Sequence, residues 1–194
     1  MPAGFSYNLD ASAVVEEICD VQTIHHKRGA YKLNTTGLTV GTTLPRFTPV
    51  YVDSTRLATV VRNVKVVEEA AADATSVKIA KNSLAYVGMI LGTGSNGATV
   101  SAIDTSNADY DVLTLAAAFG AKVSAGKVLF EASAAGGTTP KKTANFVIYE
   151  QTKVENGIVL VAVIMQAYEI QESKLTLPIS EKDKEGLTCR FQFE

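Results

Sequence analysis

The chain has 194 residues, of which 46% are hydrophobic and 20% are charged, and its formal net charge is −2. This length can bury a core large enough to fold without a disulfide or a metal, as one domain or as one domain with an arm. The weakly acidic balance gives no support for nucleic-acid binding, and the longest apolar run, residues 158–165, is too short to span a bilayer.

The first 45 residues differ from the rest and predict an irregular N-terminal arm. A short helix capped by Ser12 would place Val14, Ile18 and Val21 on one face, whereas the β-branched residues of this stretch favour an extended conformation. Both interpretations stay open. We expect the arm to lie against a neighbouring subunit, and we expect a β-rich domain over residues 46–194.

The middle of the chain predicts short strands joined by polar turns. Residues 47–67 predict two strands with a turn at residues 53–55, and further turns are expected at residues 72–74, 94–97 and 107–109. One helical turn is predicted at residues 115–120, where Gly120 would end it. The strand pattern then resumes at Val123 and at residues 128–130.

The last third predicts a loop, a hairpin and a final strand. The Gly-rich loop at residues 133–144 is also a candidate point for subdividing the β-rich domain. Asn156-Gly157 predicts a type I′ hairpin, and residues 158–167, apolar on both faces, predict a central strand. The alternation over residues 187–193 predicts a half-exposed strand.

The two cysteines lie far apart in the sequence. The alternation of residues 187–193 predicts that Cys189 points inward as a small hydrophobic side chain. Whether Cys19 and Cys189 pair stays open, because a single sequence does not reveal connectivity.

Together these patterns predict a fold that is mainly all-β, either a β-sandwich or a small β-barrel built from hairpins. An irregular N-terminal arm that could hold a short helix would precede it. These patterns are more typical of a scaffold or a binding surface than of an enzyme.

Three groups of residues invite a functional interpretation, and each has a simpler structural one. Residues 92–97 match the dinucleotide pattern G-x-G-x-x-G, but the residues that follow alternate like a strand where a helix would have to begin, so a hairpin turn is expected. His25 and His26 are adjacent and point apart, which favours a solvated face over a metal site. Asp109 and Asp111 are interpreted as turn and edge residues.

We therefore expect no catalytic residues, no cofactor-binding residues and no metal ligands, and we expect a protein that is not an enzyme. No Gly-x-Ser-x-Gly elbow occurs in the sequence, so the serine-hydrolase arrangement lacks its nucleophile signature. A pair of carboxylates for glycoside hydrolysis stays open, because such a pairing is made in space and not along the chain.

Four segments resemble virion proteins of tailed bacteriophages, in particular head fibre or head decoration (auxiliary capsid) proteins. They are GLTVGTTLP at residues 37–45, ATSVKIAKNSLAYVGMI at residues 74–90, YDVLTL at residues 110–115 and GKVLFEA at residues 126–132. No functional residue carries over from the family, because the role that the resemblance implies is binding to a capsid.

The resemblance implies a structural subunit that decorates and stabilises the capsid exterior. Its partners would be the major capsid protein and copies of itself, as a homotrimer, with host-surface glycans as a further candidate and with no nucleic acid and no membrane. It would be assembled in the host cytoplasm and reside on the virion. The alternatives are a tail tube or tail fibre subunit, or a carbohydrate-binding β-sandwich module.

Overall fold

The computed structural model describes residues 17–194, and this part of the chain is mainly β, which confirms the predicted fold class. In chain order, its strands are β1 His25–His26, β2 Tyr31–Leu33, β3 Thr43–Leu44, β4 Pro49–Val52, β5 Leu57–Val60, β6 Asn63–Lys65, β7 Ser76–Ala80, β8 Ile90–Gly92, β9 Gly97–Asp104, β10 Tyr110–Leu115, β11 Val128–Glu131, β12 Phe146–Ile148, β13 Thr152–Lys153, β14 Leu160–Val161, β15 Val163–Ile170 and β16 Phe191–Phe193. The helix α1 spans Glu181–Leu187, and 3₁₀ turns lie at Val21–Thr23, Glu172–Lys174 and Thr188–Arg190.

The strands β2, β5, β4, β12, β15 and β14 form a first barrel. They follow one another in the order β15-β12-β4-β5-β2-β14, and only Ala162 separates β14 from β15. The two ends of the sheet are thus consecutive parts of one bent strand, and the sheet closes on itself. β1 and β16 add to β15 from outside this ring.

A second barrel is formed by the strand order β6-β11-β8-β9-β10-β7. It closes where Val66, directly after β6, bridges to Ile79 of β7, and where the backbone N–H of Val67 donates to the carbonyl of Lys78 at 3.0 Å. Since all its strands lie between β5 and β12 in the sequence, the second barrel is an insertion into the first.

Each barrel has a hydrophobic core of its own. The core of the second barrel draws only on residues 64–129, including Ile79, Leu91 and Leu113, which are fully buried. In the first barrel, Ile148 packs inside the ring, whereas its neighbour Val147 packs outside it, under α1 and β16. Burying a side chain of this size contributes about 2 kcal/mol, so both cores are substantial.

The polar turns predicted at residues 53–55, 94–97 and 107–109 are confirmed. They connect β4 to β5, β8 to β9 and β9 to β10, and each of these pairs is antiparallel. In the first turn, Asp53 Oδ1 accepts hydrogen bonds from the backbone N–H groups of Thr55 and Leu57 at 2.9 and 3.0 Å. Such local hydrogen bonding is why Asp favours this position.

The helical turn predicted at residues 115–120 is wrong. β10 ends at Leu115, and the backbone N–H groups of Ala116 and Gly120 donate to Thr99 and Ala72, which lie in other segments. Leu115 and Phe119 are buried in the core of the second barrel. Tertiary packing therefore overrides the local helical pattern of the alanines.

The hairpin predicted at Asn156-Gly157 is also wrong. The strands that flank it pair with other partners, β13 with β3 and β14 with β2. A type I′ turn needs positive φ at both central residues, and only Gly157 has it, at 103°.

The central strand predicted over residues 158–167 is only partly correct. It is broken at Ala162, and its N-terminal part leaves Ile158 and Leu160 exposed at 75% and 60%. The single strand predicted over residues 57–66 is broken as well, because the chain leaves the first barrel after β5 and enters the second at β6.

The final strand is shorter than predicted, and Cys189 does not point inward. Leu187 ends α1, a 3₁₀ turn follows, and only residues 191–193 are extended. Cys189 is exposed and Cys19 is buried, and both are free thiols. The capping box of Ser180 and Asp183 begins the helix α1. The apolar–polar alternation from which the strand was predicted does not reveal this helix.

The described part of the predicted arm is paired with the first barrel. β1 adds to β15, and β2 lies between β5 and β14, where Tyr31 and Leu33 are buried. Ser12 and Val14 lie outside the described residues, and Ile18 is followed by the 3₁₀ turn. A domain boundary at residue 45 and a subdivision near residues 133–144 stay predictions.

The buried side chain of Asp183 joins α1 to both barrels. It accepts hydrogen bonds from Asn63 Nδ2 of β6 at 2.7 Å, from the backbone N–H of Ala144 before β12 at 2.8 Å and from Ser180 Oγ at 2.5 Å. Asp183 is 1% exposed. Its removal would leave several buried donors without an acceptor.

We expect Asp183→Ala to lower the free energy of unfolding by about 3 kcal/mol, since hydrogen bonds to a buried charged acceptor are lost and their donors stay buried. Urea unfolding measures this change. The control is Glu185→Ala on the exposed side of α1, which should stay within about 0.5 kcal/mol of wild type. Equal effects of the two substitutions would contradict the role assigned to Asp183.

Candidate binding surfaces

A cleft of about 570 Å³ lies between the two barrels. The first barrel contributes Asn34, Thr59 and Val60 to its lining, and the segments of the second contribute Tyr86 and Glu131. This volume is in the range of sites that bind small molecules. The cleft exists because the chain passes twice between the barrels at this point.

A hydrogen-bonded group of three side chains lines one wall of the cleft. Tyr86 Oη donates to Glu131 Oε1 at 2.6 Å, and Lys141 Nζ donates to the same oxygen at 2.6 Å. Burial, together with the hydrogen bond to Glu131, raises the pKa of Tyr86, and the hydrogen bond to Glu131 raises the pKa of Lys141. Both groups therefore stay protonated near neutral pH, and neither is tuned to act as a general base.

Arg62 lies at the point where the chain crosses from the first barrel to the second. Its side chain is packed over the ring of Tyr86, with Cζ 4.6 Å from the ring centroid, and Nη2 donates to the carbonyl of Gly37 at 2.7 Å. The residue is only 9% exposed. A guanidinium group thus faces the cleft from a largely buried position.

A second polar surface covers one region of the first barrel, and we call it the cationic face. It comprises Lys27, Arg56 and Arg190 around the rings of Tyr31 and Phe146, together with the exposed Arg28, which follows Lys27 in the chain. The ring of Phe146 has Lys27 Nζ at 4.1 Å and Arg190 Cζ at 5.3 Å from its centroid. Cations at these distances are attracted to the ring.

The rest of the cationic face is built around Tyr31. Arg56 Cζ lies 5.0 Å from the centroid of this ring, and Arg56 Nη2 donates to the carbonyl of Arg28 at 3.2 Å. None of the four cations forms an ion pair with a carboxylate of residues 17–194. The surface is therefore positively charged although the whole chain is weakly acidic.

Ile158 and Leu160 form an exposed apolar pair next to and within β14, at 75% and 60% exposure. Two residues apart in an extended segment, their side chains point to the same side. Single exposed apolar residues are common, but adjacent large ones favour contact with another protein surface.

The residues considered in the sequence are not brought together into a site. His25 and His26 are exposed in β1, and the ring of His26 meets that of Tyr149 edge to face at a centroid distance of 4.0 Å. Asp109 is exposed in the turn after β9. Asp111 is not an edge residue, as β10 lies between β9 and β7.

Asp111 is instead a buried ion-pair partner. It is 6% exposed, and Lys81 Nζ lies 2.7 Å from its Oδ1. The interpretation as an edge residue is wrong because β10 pairs with β9 on one side and, over residues 110–114, with β7 on the other.

The glycines of residues 92–97 lie in a hairpin, as expected, and no helix follows them; Gly92 and Gly97 also allow close packing. A Cβ atom on Gly92 would lie 2.5 Å from the Phe130 ring, and one on Gly97 would lie 2.5 Å from the carbonyl oxygen of Ala135. The loop at residues 134–137 therefore approaches this hairpin too closely for any larger residue.

Two further structural findings concern the residues from 17 to 194. No three of their His, Cys, Asp and Glu side chains come together in an arrangement that could hold a metal ion. No helix in this range is long and apolar enough to cross a membrane.

Arg62 and the group of Tyr86, Glu131 and Lys141 were not predicted from the sequence. Tyr86 and Glu131 lie in two of the segments that resemble phage virion proteins, but no pattern in the sequence indicates that they meet. Part of the cationic face is visible in the sequence, where Lys27 and Arg28 directly follow His25 and His26, but Arg56 and Arg190 join these residues only through the fold.

We expect Glu131→Gln to lower the pKa of Tyr86 and of Lys141, because the carboxylate that favours their protonated forms is lost. In the wild type, the raised pKa values of Tyr86 and Lys141 contribute stability below about pH 10. This contribution is lost as the pH rises through the pKa values that the two groups have in the folded state. The stability difference between wild type and variant should therefore shrink at alkaline pH. Ultraviolet titration of tyrosine, with Tyr86→Phe to assign the signal, measures the shift, and an unchanged Tyr86 titration would contradict it.

Comparison with known proteins places the chain in one family. No curated protein and no solved structure matches it. A family model described as head fiber protein matches residues 3–191, which is nearly the whole chain and much more than the residues 37–132 that carry the resemblance in the sequence. The chain belongs to the phage head fibre protein family and is a structural component of a phage virion.

Proposed function

We propose that the protein decorates the exterior of the capsid of a tailed bacteriophage and stabilises the shell. The observation that carries this proposal is the match of residues 3–191 to the head fibre family. Its partners are the major capsid protein and further copies of itself, as a homotrimer. Weak contacts suffice, because they are repeated over the shell and act together.

The cationic face is the surface that we assign to the capsid. Its four cations have no carboxylate partner among the described residues, so an acidic patch on the shell could bind them without breaking existing ion pairs. The rings of Tyr31 and Phe146 hold Lys27, Arg56 and Arg190 near fixed positions. Preorganised charges lose less conformational entropy on binding than free ones.

The exposed apolar pair is the surface that we assign to self-association. Covering Ile158 and Leu160 in a subunit contact would remove apolar area from water at about 25 cal/mol per Å². The contact need not be large in each subunit, because a ring of subunits repeats it.

A role without catalysis agrees with the chemistry of the cleft. The pKa values of Tyr86 and Lys141 are raised, away from the neutral range in which acid–base catalysts work. The protein acts on the virion surface after assembly in the host cytoplasm, with no nucleic-acid or membrane partner. The family favours a head component over the tail tube and tail fibre alternatives.

The first test adds purified protein to phage heads that lack it and locates it by electron microscopy. We expect it on the head exterior, with binding that weakens as salt rises, since exposed charges are screened. The variant Arg28→Glu/Arg56→Glu should bind at least about tenfold more weakly, equivalent to about 1.4 kcal/mol.

The matched control for this test is Lys65→Glu/Lys127→Glu, which reverses two exposed charges on the second barrel. It should leave head binding unchanged. Protein found on tails, or stacked into tubes, would reject capsid decoration in favour of a tail component. Equal loss of binding in the two charge-reversal variants would remove the cationic face from the proposal.

The second test addresses self-association. We expect the wild-type protein to sediment as a trimer and the variant Ile158→Asp/Leu160→Asp to sediment as a monomer, because a charged pair cannot be buried in the contact without a partner. The monomer should keep its fold, since both side chains are exposed. Analytical ultracentrifugation with circular dichroism measures both properties, and a monomeric wild-type protein would contradict the trimer.

A further inference from the structure

We propose that the cleft between the two barrels binds an acidic saccharide, and that Arg62 binds its carboxylate group. This inference goes beyond capsid decoration and does not depend on it, because no residue of the cationic face or of the exposed apolar pair lines the cleft.

Arg62 gives the first reason. A guanidinium carries five N–H donors, and in the described residues only one bond is formed, from Nη2 to Gly37 O at 2.7 Å. The residue is 9% exposed and lines the cleft, so a ligand in the cleft would lie next to its guanidinium group. A largely buried guanidinium that forms no ion pair with residues 17–194 is suited to a planar anion such as a carboxylate.

The charge of the cleft gives the second reason. Its lining includes three cations, Arg62, Lys141 and Lys142, and two carboxylates, Asp53 and Glu131, which leaves one positive charge in excess. Lys141 is paired with Glu131, and Asp53 already accepts the hydrogen bonds of its turn. Arg62 and Lys142 are therefore the cations available to an anionic ligand.

The uncharged lining gives the third reason and favours a saccharide. Asn34, Thr36 and Thr59 provide amide and hydroxyl groups, the kind of partner that sugar hydroxyl groups need, beside the apolar side chains of Leu57 and Val60. Two of these groups orient each other, as Asn34 Nδ2 donates to Thr59 Oγ1 at 3.4 Å. A few positioned polar groups beside apolar side chains are typical of small-ligand sites.

The closed barrels argue against an acidic peptide in the cleft. Peptides that add to a sheet need a free strand edge, and the strand β5 that lines the cleft is paired on both sides, with β4 and with β2. The cleft thus offers side chains and little free backbone, which suits a saccharide better than an extended chain.

The test is isothermal titration calorimetry on the full chain with sialyllactose and trigalacturonic acid as acidic probes, lactose as the neutral probe and a Glu-rich peptide as the protein-like probe. We expect an acidic saccharide to bind at least about tenfold more tightly than lactose, as a lost ion pair in a partly buried site is worth about 1.4 kcal/mol or more. Arg62→Gln should abolish this preference.

Two further variants keep the test independent of folding. Lys142 is exposed, so Lys142→Gln should fold as wild type and weaken acidic-saccharide binding several-fold, whereas Lys127→Gln on the second barrel should change nothing. Folding of Arg62→Gln is checked by circular dichroism. Head binding of Lys142→Gln should equal that of wild type, which separates this site from capsid decoration.

Three results would overturn the proposal: no binding of either acidic saccharide, equal binding of acidic and neutral saccharides, or a folded Arg62→Gln variant that keeps the preference. Tighter binding of the Glu-rich peptide than of either saccharide would assign the cleft to a protein partner instead.

Discussion

The chain crosses between the two barrels twice, and the two crossings are bonded to each other. The backbone N–H of Glu131, on the way back, donates to the carbonyl of Arg62, on the way out, at 3.0 Å. Because one barrel is inserted in the other, this junction fixes how the wall of Tyr86 and Glu131 faces the wall of Asn34 and Thr59. The junction also places Arg62 between them. The shape of the cleft is thus a consequence of the topology.

Closure of both barrels also decides what kinds of contact the protein can make. Open sheet edges invite strand addition and aggregation, and closure removes them from both rings. What stays available are the edges of the short strands β1, β3, β13 and β16, and three side-chain surfaces: the cationic face, the exposed apolar pair and the cleft. Side chains that are already packed or hydrogen-bonded, such as Arg56 over Tyr31 and Tyr86 to Glu131, lose less conformational entropy when a partner binds. A component of a virion that makes many repeated contacts benefits from such fixed geometry.

Features that depend on neighbouring residues could be predicted from the sequence, and those that depend on distant pairing could not. The hairpin at residues 94–97 was predictable because glycine and asparagine mark it locally. The bridge from Val66 to Ile79 closes the second barrel through partners with no shared motif. Ser180-x-x-Asp183 was a local signature of a helix start that the alternation after it concealed. Arg62 became a candidate only once its burial was known.

The insertion has a consequence for how this architecture can change. The core of the second barrel draws only on residues 64–129. The chain enters this barrel after Arg62 and leaves it at Glu131, and the backbones of these two residues are hydrogen-bonded to each other. If the second barrel were deleted, a short turn could therefore join the two chain ends that remain on the first barrel. Evolution, or an engineer, could exchange this module for another of similar anchor spacing, provided that the new module restores a partner for Asp183, which now bonds Asn63 at the point of entry.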